Sequence, residues 1–355
     1  VLSIILIFIY YLSASKAYKN NVFNRIQIIM KLLFKFIFLL FFFFCSTASF
    51  SQKIVSIYNP LKNDSIRIGV GEHDFLPYVQ SGFTLMLPEH RAISGVLIFL
   101  EDSVYDKKNT SAKQIYKEAS EEGYAVLSVS TEIPLDFYFS ESSMASARNI
   151  MKEVFSMYNL PNQNIFFLGA GLSGHRAMRY IKLAKQSNQE FKLNIKGIVA
   201  CNFTMDFVRK WYQHKRDIRL NRINLWEPKF INYMLETYLG GTPETTPERY
   251  YEFSSYSYFD KTNRNVELYK EYAVKVYVEP AIEYKLNSQL RTLYENNVTD
   301  MVGFLAELEL AGNTNTELVV LGPEANSSTK KNTQSTWDAI NKSKLMDWII
   351  DQASE

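Results

Sequence analysis

The sequence predicts an α/β fold, a mostly parallel sheet with helices on both faces. Three observations predict it. Predominantly apolar runs recur at Val96–Leu100, Ala125–Val129, Ile165–Leu168, Ile195–Cys201, Val274–Val278 and Leu318–Leu321, as expected of strands buried on both faces. Segments with helical spacing of apolar residues fall between several of them, and that alternation is the signature of parallel strands joined by crossover helices. The chain is 355 residues long and 47% hydrophobic, enough for one large domain with a deep core.

The elements follow in order. Ile54–Tyr58, Ile66–Val70 and Thr84–Leu87 are short β-rich runs punctuated by Gly and Pro, which predicts antiparallel pairing at the start of the domain. A helix is expected from Ala112 to Glu122, stopped by Gly123. The strongest amphipathic pattern spans Ser143 to Tyr158, where Met144, Ala147, Met151, Val154, Phe155 and Tyr158 share one face. Ile165–Leu168 then runs into Gly169-Ala-Gly-Leu-Ser-Gly-His175, and a helix-like stretch follows. Between Phe203 and Phe259 the rhythm stops. This stretch is rich in Tyr, Trp, Arg and Asn, contains helix-like Lys229–Tyr238, and is read as a cap inserted over the carboxyl edge of the sheet. A closing helix is expected over Trp337 to Ile350.

The first 51 residues read differently. Met30-Lys-Leu-Leu-Phe-Lys35 gives a basic start, Phe36 to Phe44 an apolar run, and Ser46 to Ser51 small residues. That is a signal-peptide layout over residues 30–51, with an apolar core short for a membrane span. Residues 1–29 are expected to lie upstream of it. The mature domain is then 52–355, with its cap at about 203–259. The expectation is an exported protein, periplasmic or secreted, that meets the membrane only through its signal segment. Its Phe/Lys/Asn/Tyr-rich style is similar to exported proteins of Bacteroidota.

A net charge of +2 with dispersed lysines gives no reason to expect nucleic acid as a partner. Past the signal segment the only cysteine is Cys201, at the end of an apolar run, which reads as a buried structural thiol. The four histidines, at 73, 90, 175 and 214, have no ligand-like spacing, so no metal or other cofactor is expected.

The turn after Ile165–Leu168 carries the functional signal. A serine on a sharp strand-to-helix turn stands clear of the backbone and can attack a carbonyl, while a following N–H faces the developing oxyanion. The chain resembles the α/β-hydrolase superfamily, in particular its secreted esterase and prolyl-oligopeptidase-like members. The resemblance rests on Gly171-Leu-Ser-Gly-His175, on the order of elements around it, on Tyr238-Leu-Gly-Gly-Thr-Pro-Glu244 with Ser254-Ser-Tyr-Ser-Tyr258, and on the final strand and helix. It covers about residues 65–352. It implies an α/β-hydrolase fold with Ser173 at the nucleophile position and Gly174 at the oxyanion. It also implies an acid after the next-to-last strand and a histidine after the last.

The sequence departs from that pattern at three places. No histidine follows His214; Glu324 and Asn326 stand about where one is expected, and neither accepts a serine proton well at neutral pH. Glu279 and Glu283 follow Val274–Val278, and Asp206 follows Ile195–Cys201, as candidate acids. Glu101-Asp102-Ser103 occupies the oxyanion loop, where a like charge at roughly 4 Å costs about 4 kcal/mol. His214 in the cap is the candidate base; His175, two places after the serine, is expected to point into packing. Two functions are therefore expected. One is a catalytically impaired exported protein that binds a ligand or acts as a scaffold. The other is a carboxylic-ester or peptide hydrolase using Ser173 with a rearranged triad. In either case the partner is a small ester, peptide or glycan, for which the cap aromatics (Trp211, Tyr212, Trp226, Tyr233, Tyr238, Tyr250, Tyr251) offer stacking faces, unless they form the cap's own core.

Overall fold

Parallel pairing dominates the sheet, and that pairing fixes where a site can be. The computed structural model describes residues 54–60, 80–101, 110–131, 140–187, 191–221, 225–322 and 336–354. The expected signal segment, the Ile66–Val70 strand, His73, Asp102-Ser103, Glu324 and Asn326 lie outside the described residues. Within 52–355, which form one compact unit, the strands are β1 (Ile54–Pro60), β2 (Gln80–Met86), β3 (Gly95–Leu100), β4 (Tyr124–Ser130), β5 (Ile165–Ala170), β6 (Ile195–Cys201), β7 (Ala273–Val278) and β8 (Thr316–Val320). They form one sheet in the order β1-β2-β4-β3-β5-β6-β7-β8. β1, β2 and β4 pair antiparallel, and every pair from β4 through β8 is parallel.

Helices cover both faces. They are α1 (Ser111–Glu121), α2 (Glu141–Met157), α3 (Leu172–Gln186), α4 (Phe207–Arg219), α5 (Trp226–Leu239), α6 (Pro247–Phe253), α7 (Ile282–Gln289), α8 (Asn297–Leu310) and α9 (Lys342–Ser354). One core cluster packs α2, α3 and α8 on the sheet through residues such as Met151, Ile181, Phe304 and Ile98. The other packs α1 and α9 on the opposite face, through Ile115, Leu345 and Phe166. Successive strand residues therefore enter different cores, as the period-2 alternation of a strand requires. Cys201 is buried, and burial pushes its thiol up to about 12, so it is an inert packing group.

The helix starts follow their caps. Thr110 accepts from the Lys113 N–H, Ser140 from Ser143, and Asn296 from Val298, each satisfying a first-turn donor that has no partner inside its helix. The α4 helix, over Tyr- and Arg-rich sequence, and α8 were not expected. The last strand ends at Val320, and three of its five residues, Glu317, Leu318 and Val320, are exposed, because β8 is the sheet's edge and its outer side has no neighbouring strand. The closing helix starts at Lys342 rather than Trp337; Trp337 lies buried in the core, edge-on to Phe99.

Between β6 and β7 three helices, α4 to α6, build the cap. Its own small core holds Phe207, Trp211, Phe230, Leu235, Tyr250 and Phe253. Trp211 and Tyr250 are therefore cap core, whereas Tyr212, Tyr233 and Tyr238 are exposed. A buried ion pair fastens the cap to the body. Arg209 on α4 binds Asp300 on α8 through both Nε and Nη2, and the two side chains are 2% and 1% exposed. Lys182 on α3 adds a second tie, donating to the Glu252 carbonyl of α6.

Candidate functional site

All the parallel strands end on one edge, and the ladder continues past them. The Gly171 N–H donates to Cys201, Asn202 to Tyr277, and Leu321 to Val278. This line of first residues beyond the strands, from Gly171 to Leu321, is where a ligand meets an open α/β sheet.

The strand-to-helix turn at its centre differs from the expected one. β5 runs to Ala170, two residues beyond the expected Leu168, and α3 begins at Leu172. The apex is the single residue between them, Gly171, at φ 57° and ψ −129°. A side chain there would stand clear of the fold: a Cβ placed on Gly171 meets no described atom within 4 Å. The frame that fits a Gly-x-Ser-x-Gly turn is thus Gly169-Ala-Gly171-Leu-Ser173, with glycine at the nucleophile position. The neighbouring positions meet the steric demand of such a turn. A Cβ on Gly169 would lie 2.3 Å from the Gly174 backbone, and one on Gly174 would lie 2.2 Å from the Phe203 ring.

Ser173 is corrected accordingly. It is the second residue of α3, it is buried, and its hydroxyl is held by Ala170. It accepts from the Ala170 N–H at 3.0 Å and donates to the Ala170 carbonyl at 3.1 Å. Gly174 does not offer its N–H to an oxyanion, because it donates to the Gly171 carbonyl at 3.2 Å within the first turn. A glycine is needed there for close packing on Phe203.

The candidate partners do not gather around Ser173. His214 lies inside the cap, with Nδ1 2.9 Å from the Asn232 Oδ1 of α5. The Asn232 amide N–H₂ donates to the Trp211 carbonyl, so that Oδ1 is the acceptor and Nδ1 carries the proton. Burial, aided by Lys210, Arg291 and Arg209, holds the His214 pKa well below 6.5. Asp206 caps α4. Its Oδ1 accepts from Val208 and Arg209 N–H at 2.9 and 3.1 Å, and its Oδ2 from Tyr258 N–H at 3.0 Å. Burial, and then the neighbouring Asp300, raise its pKa to about 6. Glu283 is exposed on α7. Glu279 is the one candidate acid that is both buried and directly beyond a strand, next to Val278. His175 points into packing as expected, its ring 4.4 Å from Phe207 and 5.1 Å from Phe253 between centroids. His90 is an exposed side chain beside Glu89. Glu101 is buried at the end of β3, with the Ser128 hydroxyl 3.5 Å from its Oε2.

Sequence reasoning missed an amide cluster on the same edge. Asn202, at φ 42° directly after β6, donates through Nδ2 to Thr336 Oγ1 at 3.0 Å, and its carbonyl accepts from Asn297 Nδ2. Asn297 Oδ1 in turn accepts from Arg209 and Thr204. The signal was Asn at the first position past a buried strand, a residue type that tolerates a left-handed backbone. Among the described residues no group of three or more His, Cys, Asp or Glu side chains is placed to hold a metal ion, and no helix is long and apolar enough to cross a membrane.

Comparison with solved structures decides the fold. An acylaminoacyl peptidase from Pyrococcus horikoshii superposes on 88% of this chain with a TM-score of 0.50 and 12% identity. A carboxyl esterase from the mycorrhizal fungus Tuber melanosporum superposes on 87% with a TM-score of 0.50, also at 12% identity. This chain has the α/β-hydrolase fold. It spans 43% of the length of the peptidase and 86% of that of the esterase. No protein-family model matches the chain, and no curated protein matches it in sequence. The likeness is therefore one of backbone, and this α/β-hydrolase fold carries its own residues at the strand edge.

Proposed function

We propose that this chain is an exported α/β-hydrolase-fold protein that acts by binding rather than by serine catalysis. One observation carries the reading. The apex of the nucleophile turn is Gly171, which has no hydroxyl to offer, and the nearest serine, Ser173, spends its hydroxyl on Ala170. Covalent catalysis needs a nucleophile, a base within hydrogen-bond reach and a group that orients the base. Here the buried histidines are engaged within the cap and its packing. The Gly171 apex leaves open space where a side chain would project, so a small ester, peptide or glycan fits that edge as a ligand rather than as a substrate.

The second reading is a carboxylic-ester or peptide hydrolase with a rearranged triad, Ser173 attacking, His214 as base and Asp206, Glu279 or Glu283 as acid. It draws on the fold neighbours, which are named as a peptidase and an esterase, and on Glu279 lying buried at the edge. A fluorophosphonate probe separates the two. Binding without catalysis gives no covalent adduct on the wild-type protein. An adduct mapped to Ser173, lost in His214→Ala, would establish the hydrolase.

A further inference from the structure

A second cleft lies away from the strand edge, between the start of α2 and the end of α3. Its volume is about 460 Å³, and no residue of the 169–175 turn or of the cap lines it. Its walls are Met144 and Ala145 of α2 and Leu183 and Ala184 of α3. Glu141, Met144, Ala145 and Arg148 of α2 recur at i, i+3, i+4 and i+7, and Tyr180, Leu183 and Ala184 of α3 at i, i+3 and i+4, so each helix turns one face into the cleft.

Six polar side chains, Glu141, Ser142, Arg148, Tyr180, Gln186 and Ser187, also line it, and two of them, Tyr180 and Arg148, are donors that an occupant can use. Tyr180 is 4% exposed, with its ring 5.4 Å from that of Phe167, and its hydroxyl has no hydrogen-bond partner among the described residues. Burial raises its pKa, and Arg148 acts on it in the opposite sense, so at neutral pH the phenol keeps its proton and is a donor. Arg148, half-buried on the opposite wall, makes no ion pair or hydrogen bond among the described residues. A guanidinium with five N–H donors and a phenol O–H thus line the same cleft, neither with a hydrogen-bond partner among the described residues. At the rim, Glu141 is an exposed carboxylate that disfavours a second negative charge on an occupant.

We propose that this cleft binds a monocarboxylate with an apolar body, its carboxylate held by Arg148 and Tyr180 and its chain lying along Met144, Ala145, Leu183 and Ala184. Charge-assisted bonds from a guanidinium to a carboxylate are the strong class of hydrogen bond, and the apolar walls supply the remaining attraction without direction. The site is separate from the Gly171 edge and stands whether or not that edge is catalytic.

The test is isothermal titration of the full chain with sodium decanoate and, for comparison, with 1-decanol. The expected result is saturable decanoate binding, with decanol weaker by about tenfold. Arg148→Gln weakens decanoate by about tenfold and leaves decanol unchanged. Tyr180→Phe weakens decanoate severalfold. Ala184→Phe, which fills the cleft without touching the donors, removes binding of both. Each variant is checked for a wild-type-like melting transition. Should a donor variant fail that check, Ala184→Phe and the acid–alcohol comparison decide. No saturable binding, equal affinity for acid and alcohol, or an Arg148→Gln affinity equal to wild type would each overturn the proposal.

Discussion

The Ser173 hydroxyl closes on the Ala170 peptide from both sides, accepting from its N–H at 3.0 Å and donating to its carbonyl at 3.1 Å. This pair of bonds ties the last residue of β5 to the first turn of α3. It gives the serine a structural task in the place where a nucleophile was expected. Ser173→Ala is therefore expected to lower stability by about 1 kcal/mol, read as a shift of the urea midpoint at constant slope. An unchanged midpoint would remove the structural account of this residue.

The glycines of the turn are expected to differ in the kind of cost they carry. Gly171→Ala meets open space, so its cost is the backbone strain of φ 57°, about 1–3 kcal/mol. Gly169→Ala and Gly174→Ala place a Cβ at 2.3 Å from backbone and 2.2 Å from the Phe203 ring. Both are expected to exceed Gly171→Ala in thermal melts. Phe203→Leu is expected to relieve Gly174→Ala but not Gly169→Ala, because only the former collides with that ring. Equal losses across the three would contradict the packing described for the turn.

Arg209 and Asp300 hold the cap from inside. Removing one partner leaves a buried charge without its counter-ion, so Asp300→Ala is expected to cost about 3–5 kcal/mol. Replacing both, as Arg209→Met with Asp300→Leu, is expected to recover much of that loss. Denaturant unfolding of the two singles and the double measures the coupling. Additive losses would show that the pair does not act as a unit.

Stability is expected to fall as the pH drops below 6.5. Burial first, then nearby cations, hold His175 and His214 well below the ordinary histidine value. The folded state keeps them neutral while the unfolded chain protonates them near pH 6.5. Their contribution is present above that pH and is lost at up to about 1.4 kcal/mol per pH unit for each histidine below it. Asp206 works in the opposite sense. Its folded pKa of about 6 lies above the unfolded value, so the folded state holds an extra proton and regains stability as the pH falls from about 6 to about 4. The loss is thus expected to set in near pH 6.5 and, between about pH 6 and pH 4, to be held by Asp206 to roughly the slope of one histidine, about 1.4 kcal/mol per pH unit. His214→Gln should flatten it in urea titrations at pH 7.5, 6.3 and 5. A slope unaffected by that substitution would exclude His214 as a source.

Much of the fold was legible because buried parallel strands write themselves as apolar runs. Val96, Ile165 and Val274 each sit in a run that became a strand facing both cores. The cap was legible as a break in that rhythm, but α4 was not, because its Arg209 and His214 face inward and their partners, Asp300 and Asn232, are distant in sequence. The apex was misread for a local reason. Gly169 and Ala170 carry no large side chain, so the strand seemed to end at Leu168, and the Gly-x-Ser-x-Gly frame slipped by two residues onto Ser173. Only the backbone turn at Gly171 fixes the frame. His175 was read correctly because a bulky ring two places beyond the serine has to enter the packing under the cap.

The most direct measurement is steady-state hydrolysis of p-nitrophenyl acetate and butyrate by wild-type protein, Ser173→Ala and His214→Ala at pH 7.5. The absence of a hydroxyl at Gly171 predicts the same background rate for all three proteins. A saturable wild-type rate that Ser173→Ala abolishes would contradict it.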